Sequence, residues 1–358
     1  MNIKDHKSSV TSASAAPGAT LSELQQRLER LEHLTCDEAS ALLESLLDPA
    51  TNDAQIAAIL TALARKGETS AELTGMATAM RARMIPVQCD HPIVIDTAGT
   101  GASRSKTFNV STASAFVIAA AGLPIAKHGA KASTSSSGSA DVLQALGIDI
   151  QTEPSVSARC LAEHGICFLF APQYHPAAAR VAPIRRQLGF RTVFNLIGPL
   201  SSPSRAKHQV MGVSNADLLP KMAESLLNLG CTRGWVVHGE DGLDEVSLAA
   251  PTLVTEVRDG QIATFTVSPE SFGLHRADCS HLRAESAAAS AAQTVAVLEG
   301  HADACATDLV ILNAAAALVV GLNLDLRSAA DLARSVINNG SARTKLEVMR
   351  SLRKEQSA

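Results

Sequence analysis

The sequence predicts an α/β protein, with a small all-helical N-terminal subdomain ahead of a large α/β domain built on a mostly parallel central sheet. Three observations carry that prediction. The chain has 358 residues, more than one hydrophobic core usually serves. From Leu21 to about Met84 the apolar residues recur at spacings of three and four, and no convincing strand interrupts them. After Pro86 short apolar runs alternate with Ala-rich helical stretches, the pattern of a parallel sheet covered on both faces.

Taken in order, residues 1–20 read as a flexible tail, rich in Ser and Ala and too polar to bury. Residues 21–85 form the helical subdomain. Leu21, Leu24, Leu28, Leu31 and Leu34 lie on one face of a first helix. Thr35 with Glu38 is a capping-box signature for a second, through Ala39, Leu42, Leu43 and Leu46. The third, QIAAILTALARK, stops at Gly67, and Thr69 with Glu72 opens a fourth that Pro86 ends. Residues 86–358 form the α/β domain. PIVID, LPIAKHG, GICFLFA, HQVMGV, RGWVVHG and LVTEV read as strands; TASAFVIAAAG and SADVLQALG read as intervening helices. TDLVILNAAAALVVGL reads as a core helix, and a helical segment near residues 175–190 is expected to pack on the N-terminal subdomain.

Composition excludes several classes. Apolar residues make up 46% of the chain and charged residues 18%, ample for a core. A formal charge of −4 argues against a general nucleic-acid binder, which needs a basic face. The seven cysteines include no CxxC pair and read as small apolar fillers in a reducing cytosol, neither a disulfide framework nor a zinc site. No apolar run reaches the roughly 18 residues of a membrane span, and the first twenty residues lack a signal peptide's apolar centre. The expectation is a cytoplasmic protein. HExxH and GxSxG sequences are absent, so zinc hydrolysis and nucleophile-elbow chemistry have no support.

Four stretches could carry chemistry. DTAGTGASRSKTFNVST (Asp96 to Thr112) follows a strand and leads into a helix. Gly99 and Gly101 let backbone amides approach an anion, and Asn109, Ser111 and Thr112 stand at a helix start, where free N–H groups and the helix dipole favour phosphate. LPIAKHGAKASTSSSGSADVL repeats the arrangement with Lys127, Lys131 and the hydroxyls of Ser133 to Ser137 and Ser139. Two such loops within forty residues point to a ligand with phosphates at both ends. HPAAARVAPIRRQLG offers His175 and the arginines Arg185 and Arg186; a solvated arginine pair is the ordinary outcome, but the guanidinium fork also suits a carboxylate. In VVHGEDGLDEVSL, Asp244 and Glu245 are adjacent acids able to serve Mg²⁺ beside a phosphate, though alone they would be surface charge.

In this order the stretches resemble the anthranilate phosphoribosyltransferase family. The likeness rests on GTGAS (Gly99 to Ser103), TFNVST (Thr107 to Thr112), KHGAK (Lys127 to Lys131), GSADVLQALG (Gly138 to Gly147), the long run from His175 to Pro203, and GLDEVSL (Gly242 to Leu248). It covers nearly everything from Leu21 onward. The resemblance implies a fold like the nucleoside phosphorylases and phosphoribosyltransferases of this type, a homodimer, and small-molecule substrates with no nucleic acid and no membrane. It implies transfer of phosphoribosyl from phosphoribosyl pyrophosphate to anthranilate, with Mg²⁺, on the way to tryptophan. Position by position, Gly99, Ala102, Ser103, Thr107, Asn109, Ser111, Thr112, Lys127, Ser135 and Ser139 would hold the donor. Ser111, Asp244 and Glu245 would hold the metal, and Gly99, Ala130, His175 and Arg185 would border the anthranilate. The aromatic amine is already nucleophilic, so no general base is assigned. Two departures stand out: the family's Gly-Asp after GTG is Ala102-Ser103 here, and its Asn-Arg after KHG is Ala130-Lys131. Transfer to another aromatic acid, nucleoside phosphorolysis, and a non-catalytic nucleic-acid-binding relative stay open as alternatives at this point.

Overall fold

The computed structural model describes residues 19–101, 107–132 and 137–355. Residues 1–18 of the expected tail (1–20) lie outside them, as do Ala102, Ser103 and Ser135, while Thr20 belongs to the first helix as its N-cap. Four helices come first: α1 (Leu21–Glu29), α2 (Cys36–Leu46), α3 (Asp53–Lys66) and α4 (Ser70–Ala82). Three begin with reciprocal capping boxes, Thr20 with Glu23, Thr35 with Glu38 and Thr69 with Glu72, so orphan amides at each start are satisfied locally. Gly67 closes α3 at φ +81°, a conformation that glycine adopts without strain.

The first helix is shorter than the leucine spacing predicts. It ends at Glu29, and Leu31 turns left-handed at φ +64° and stands half-exposed. Arg27 explains the stop: its guanidinium donates to the His33 carbonyl and pairs with Glu32 and Glu38, latching the turn. Leu34 still reaches the core, but from the connector and not from the helix.

Glu72 ties this subdomain together. Its carboxylate accepts from the Leu34 amide, the Thr69 amide and Lys66 Nζ, at 2.9, 2.9 and 2.8 Å. Both charged side chains are almost wholly buried. Lys66→Met would leave the carboxylate buried and uncompensated. It is expected to cost about 3–5 kcal/mol, read as a lowered urea midpoint; an unchanged midpoint would show that the remaining amide donors suffice.

The second part alternates strands and helices: β1 (Ile95–Gly99), α5 (Val110–Ala120), β2 (Ile125–Gly129), α6 (Ser139–Ala145), α7 (Pro154–His164) and β3 (Ile166–Phe170). The short α8 (Ala171–Tyr174), a 3₁₀ turn over Pro176–Arg180, α9 (Ala182–Leu188) and α10 (Val193–Ile197) follow. Then come β4 (His208–Gly212), α11 (Leu218–Asn228), β5 (Arg233–Gly239), β6 (Thr252–Arg258) and β7 (Gln261–Val267). The chain closes with α12 (Ala287–Leu298), α13 (Ala304–Leu322), α14 (Leu326–Asn338) and α15 (Ser341–Glu355).

The sheet has seven strands in the order β3-β2-β1-β4-β5-β6-β7. The first five in sequence run parallel, and β6 and β7 add an antiparallel edge. The strand β7 is absent from the sequence reading. QIATFTV is largely exposed and lacks the apolar run of its neighbours; the tight turn at Asp259 and Gly260, both at positive φ, supplies the pairing.

Side chains leave β5 alternately. Trp235 and Val237 join a core with α5, α12, α13 and α14, while Val236 joins another with α2, α3, α4 and α11. The N-terminal helices therefore share one continuous core with a face of the sheet and do not form a detached bundle. Arg81 on α4 stitches the two parts, donating to the carbonyls of Leu200 and Leu229 at 2.7 and 3.0 Å. The segment from 175 to 190 packs on α3 through Val181 and Ile184, and Arg180 pairs with Asp53. Against the expectation from runs of apolar residues, α13 is long and apolar enough to cross a membrane by length and composition. It is nevertheless largely buried, against α5, α14 and the sheet.

Candidate active site

The chain leaves β1 for β2 on one side and later returns as β4 on the other. Such a switch point opens a crevice at the carboxyl ends of the strands. A cavity of about 820 Å³ lies there. Thr97 to Gly101, Lys127 to Ala132, Gly212, Asp244 and Glu245 line it, and so do His175, Ala178, Ala182, Arg185 and Phe194.

At the strand end, Asn109 caps α5. Its Oδ1 accepts from the Thr112 amide and hydroxyl, at 3.2 and 2.6 Å, and its own amide donates to Ser290 Oγ at 2.8 Å. Lys127 Nζ donates to the Thr97 carbonyl at 2.8 Å and to Ser111 Oγ at 3.2 Å. The Ser111 amide donates to Glu245 Oε1 at 3.1 Å, while Glu245 Oε2 is buried with no partner among the described residues. Burial lowers Lys127 to about 8 and raises Glu245 to about 8, with Asp244 pushing Glu245 the same way. Asp96, beneath them, is raised to about 6, also by burial.

Glycines let the acidic loop approach. A Cβ on Gly212 would fall 1.6 Å from the Asp244 carbonyl oxygen, and one on Gly99 would fall 3.1 Å from Asp244 Oδ2. Asp141 accepts from the amides of Ala132 and Gly138 at 2.8 and 2.9 Å, next to Lys131 and Ser139.

Also on the cavity wall, the guanidinium of Arg185 stands 5.0 Å over the Phe194 ring. Burial lowers its pKa, its Nε has no partner, and no carboxylate pairs with it among the described residues. His128 and His175 meet on the cavity wall with ring centroids 5.2 Å apart. Burial lowers them to about 3 and about 4, so both are neutral at physiological pH.

Of the residues singled out from sequence, Gly99, Thr107, Asn109, Ser111, Lys127, Ala130, Ser139, His175, Arg185, Asp244 and Glu245 all line this one cavity. Thr112 does not: it is buried, and both its amide and its hydroxyl turn to Asn109. Its part is to hold the cap. Ala102, Ser103 and Ser135 fall outside the described residues. The sequence reading missed His128, Thr97, Asn195 and Asn313 as wall residues. His128 sat in view between Lys127 and Gly129, and its strand-end position was the available signal. A separate cluster, His281, Asp303 and Cys305, lies elsewhere on the surface. Asp303 caps α13 through the Cys305 amide and contacts His281, which accounts for that arrangement without a ligand.

Comparison with known proteins agrees with this geometry. Residues 22–84 match the helical bundle domain of a glycosyl transferase family, and residues 91–343 match its a/b domain. Fold and cavity thus define a glycosyltransferase built from a helical layer and an α/β domain. An anthranilate phosphoribosyltransferase of Herpetosiphon aurantiacus is 47% identical over 318 residues, 88% of this chain and 94% of that one. Its counterpart in Thermomicrobium roseum is 47% identical over 325 residues, 89% and 93% of the two chains. The crystal structure of the Thermus thermophilus enzyme of that name superposes with a TM-score of 0.86 at 37% identity, covering 92% of this chain and 98% of that one. The Saccharomyces cerevisiae enzyme, in complex with PRPP and Mg, superposes with a TM-score of 0.84 at 28% identity, covering 93% and 97%. The chain belongs to the anthranilate phosphoribosyltransferase family.

Proposed function

We propose that this chain transfers the phosphoribosyl group of phosphoribosyl pyrophosphate to the amine of anthranilate, releasing pyrophosphate, with Mg²⁺. The observation that carries the reading is one cavity that gathers two kinds of anion-binding group. A buried lysine beside a helix start and an acidic pair suit a phosphorylated, metal-associated donor. An arginine with no carboxylate partner among the described residues suits the acceptor's carboxylate.

The residues present fit a magnesium ion. Asp244, Glu245 and Ser111 offer hard oxygen donors, and the partnerless Glu245 Oε2 is a buried acceptor that a cation would satisfy. When bound, the ion would neutralise charge on the departing pyrophosphate. The chain's own contribution is placement. Lys127, with Gly99, Thr107 and Ser139 on the cavity wall, would hold the donor phosphates, and Arg185 would hold the acceptor so that its amine faces the ribose. The neutral rings of His128 and His175 would border the acceptor without adding charge. The same reading includes a homodimer in the cytosol, checkable by sedimentation and cell fractionation.

The direct test mixes the protein with phosphoribosyl pyrophosphate, Mg²⁺ and anthranilate and follows anthranilate fluorescence. A loss that requires all three is expected. Persistent fluorescence, with donor binding still measurable, would overturn anthranilate as acceptor and direct the search to other aromatic acids. Ala130 and Lys131 on the cavity wall are where such a change would originate.

Gly212→Ala tests the close approach of the acidic loop. The added methyl group cannot coexist with the Asp244 carbonyl, and relief by backbone movement costs about 1–3 kcal/mol. The variant is expected to lose most magnesium-dependent turnover and to melt earlier. Full turnover would show that the loop can shift without harm.

A further inference from the structure

Asn313 is the one polar residue between Leu309 and Val320 of α13, a stretch otherwise made of Leu, Val, Ile and Ala. A half-buried amide in such surroundings costs free energy unless its hydrogen-bonding groups are used. Here Nδ2 donates to the Leu309 carbonyl one turn back, at 3.0 Å, and to the Val246 carbonyl at 2.9 Å. Oδ1 accepts from the Val246 amide at 2.9 Å. One side chain thus grips both backbone groups of a single residue 67 positions away, and that residue directly follows Glu245.

The rest of the loop is held from within. Asp241 accepts from the Leu243 amide and from Ser247 Oγ, and the Ser247 amide donates to Thr252 Oγ1. Asn313 ties the Val246 backbone to the buried helix. Asn313 also lines the cavity itself.

We infer that Asn313 is a positioning residue for the metal-holding acids: by clamping Val246 it sets where Glu245, and with it Asp244, meets the cation and the donor. The inference rests on the transferase reading for the identity of the cation and donor. Without the clamp Glu245 keeps only the Ser111 amide and the loop its internal bonds, so more of the ordering falls to the ligand and is subtracted from binding.

The test compares the unaltered chain with Asn313→Ala, Asn313→Ser and Val319→Ala. Serine can keep the bond to the Leu309 carbonyl but is too short for the two to Val246. Val319 is buried on the same helix six residues on, so its truncation loosens α13 without touching the loop. Losing two neutral hydrogen bonds should raise the Mg²⁺ concentration for half-maximal turnover about tenfold in both Asn313 variants. The KM for anthranilate should hold, and Val319→Ala should leave the Mg²⁺ requirement unchanged. Mg²⁺-dependent binding of phosphoribosyl pyrophosphate, measured by calorimetry, should show the same shift independently of turnover.

An unshifted Mg²⁺ requirement in both Asn313 variants would overturn the inference. So would an equal shift in Val319→Ala, which would reduce Asn313 to a stabiliser of the helix. If the unaltered chain binds the donor with Mg²⁺ but does not consume anthranilate, the acceptor reading fails, and the calorimetric comparison still decides the role of Asn313. If one variant fails to fold, the other carries the comparison.

Discussion

Glu245→Gln is expected to lower turnover by about 10²–10³ while leaving the fold intact or slightly more stable. The two halves of that expectation have one cause. Glu245 is buried beside Asp244, and the cost of keeping its charge away from water raises its pKa to about 8. Glutamine has nearly the same shape and can still accept from the Ser111 amide. It removes a carboxyl group that burial and Asp244 hold back from ionising, and with it the charge that would hold a cation. Stability and activity should therefore move in opposite directions, as expected where a site retains strain for function. The measurement is kcat/KM for phosphoribosyl pyrophosphate across a range of Mg²⁺, alongside the thermal midpoint. Activity near that of the unaltered chain would remove Glu245 from the metal site. A fall in both quantities together would mean that the carboxylate serves the fold.

Arg185→Ala should raise the KM for anthranilate on the order of a hundredfold, with the KM for phosphoribosyl pyrophosphate nearly unchanged. Three observations set the size of this effect. The guanidinium is largely withdrawn from water, so a carboxylate meeting it interacts in a weakly screening environment. It stacks over Phe194, so its orientation is established before the acceptor arrives. It has no carboxylate partner among the described residues to compete with a ligand. Arg185→Lys should recover only part of the loss, because an ammonium is a point charge without the planar fork and stacks poorly on a ring. Steady-state kinetics with each substrate varied in turn separates the outcomes. Equal losses for donor and acceptor would show that Arg185 maintains the cavity and does not select the acceptor.

The candidate site was legible in the sequence to the extent that its parts are local. A glycine loop after a strand, a hydroxyl-rich helix start, a strand-end lysine and an adjacent acid pair are each contiguous, and each sits where a βα unit presents it. Sequence alone does not separate two uses of Thr112, because its spacing from Asn109 fits a phosphate contact and a cap bond equally well. Only the coordinates show its hydroxyl 2.6 Å from Asn109 Oδ1. Asn313 was invisible as a site residue because its partner, Val246, is 67 residues away and the contact is to backbone, which leaves no trace in side-chain pattern.

The fold divides along the same line. Periodicity and capping chemistry alone determined α2, α3 and α4, the six buried strands and the apolar helix α13, because those elements follow from interactions within a few residues of one another. Tertiary structure decided three things. It ended α1 at Glu29, through Arg27 reaching the His33 carbonyl and Glu38. It recruited the exposed QIATFTV segment as β7, through pairing with β6. It joined the N-terminal helices and one sheet face into a single core, through residues such as Val236 and Met222 that meet helices far away in sequence. Local propensity cannot specify such contacts, because the free energy that selects them comes from burying surfaces that are brought together only when the whole chain folds.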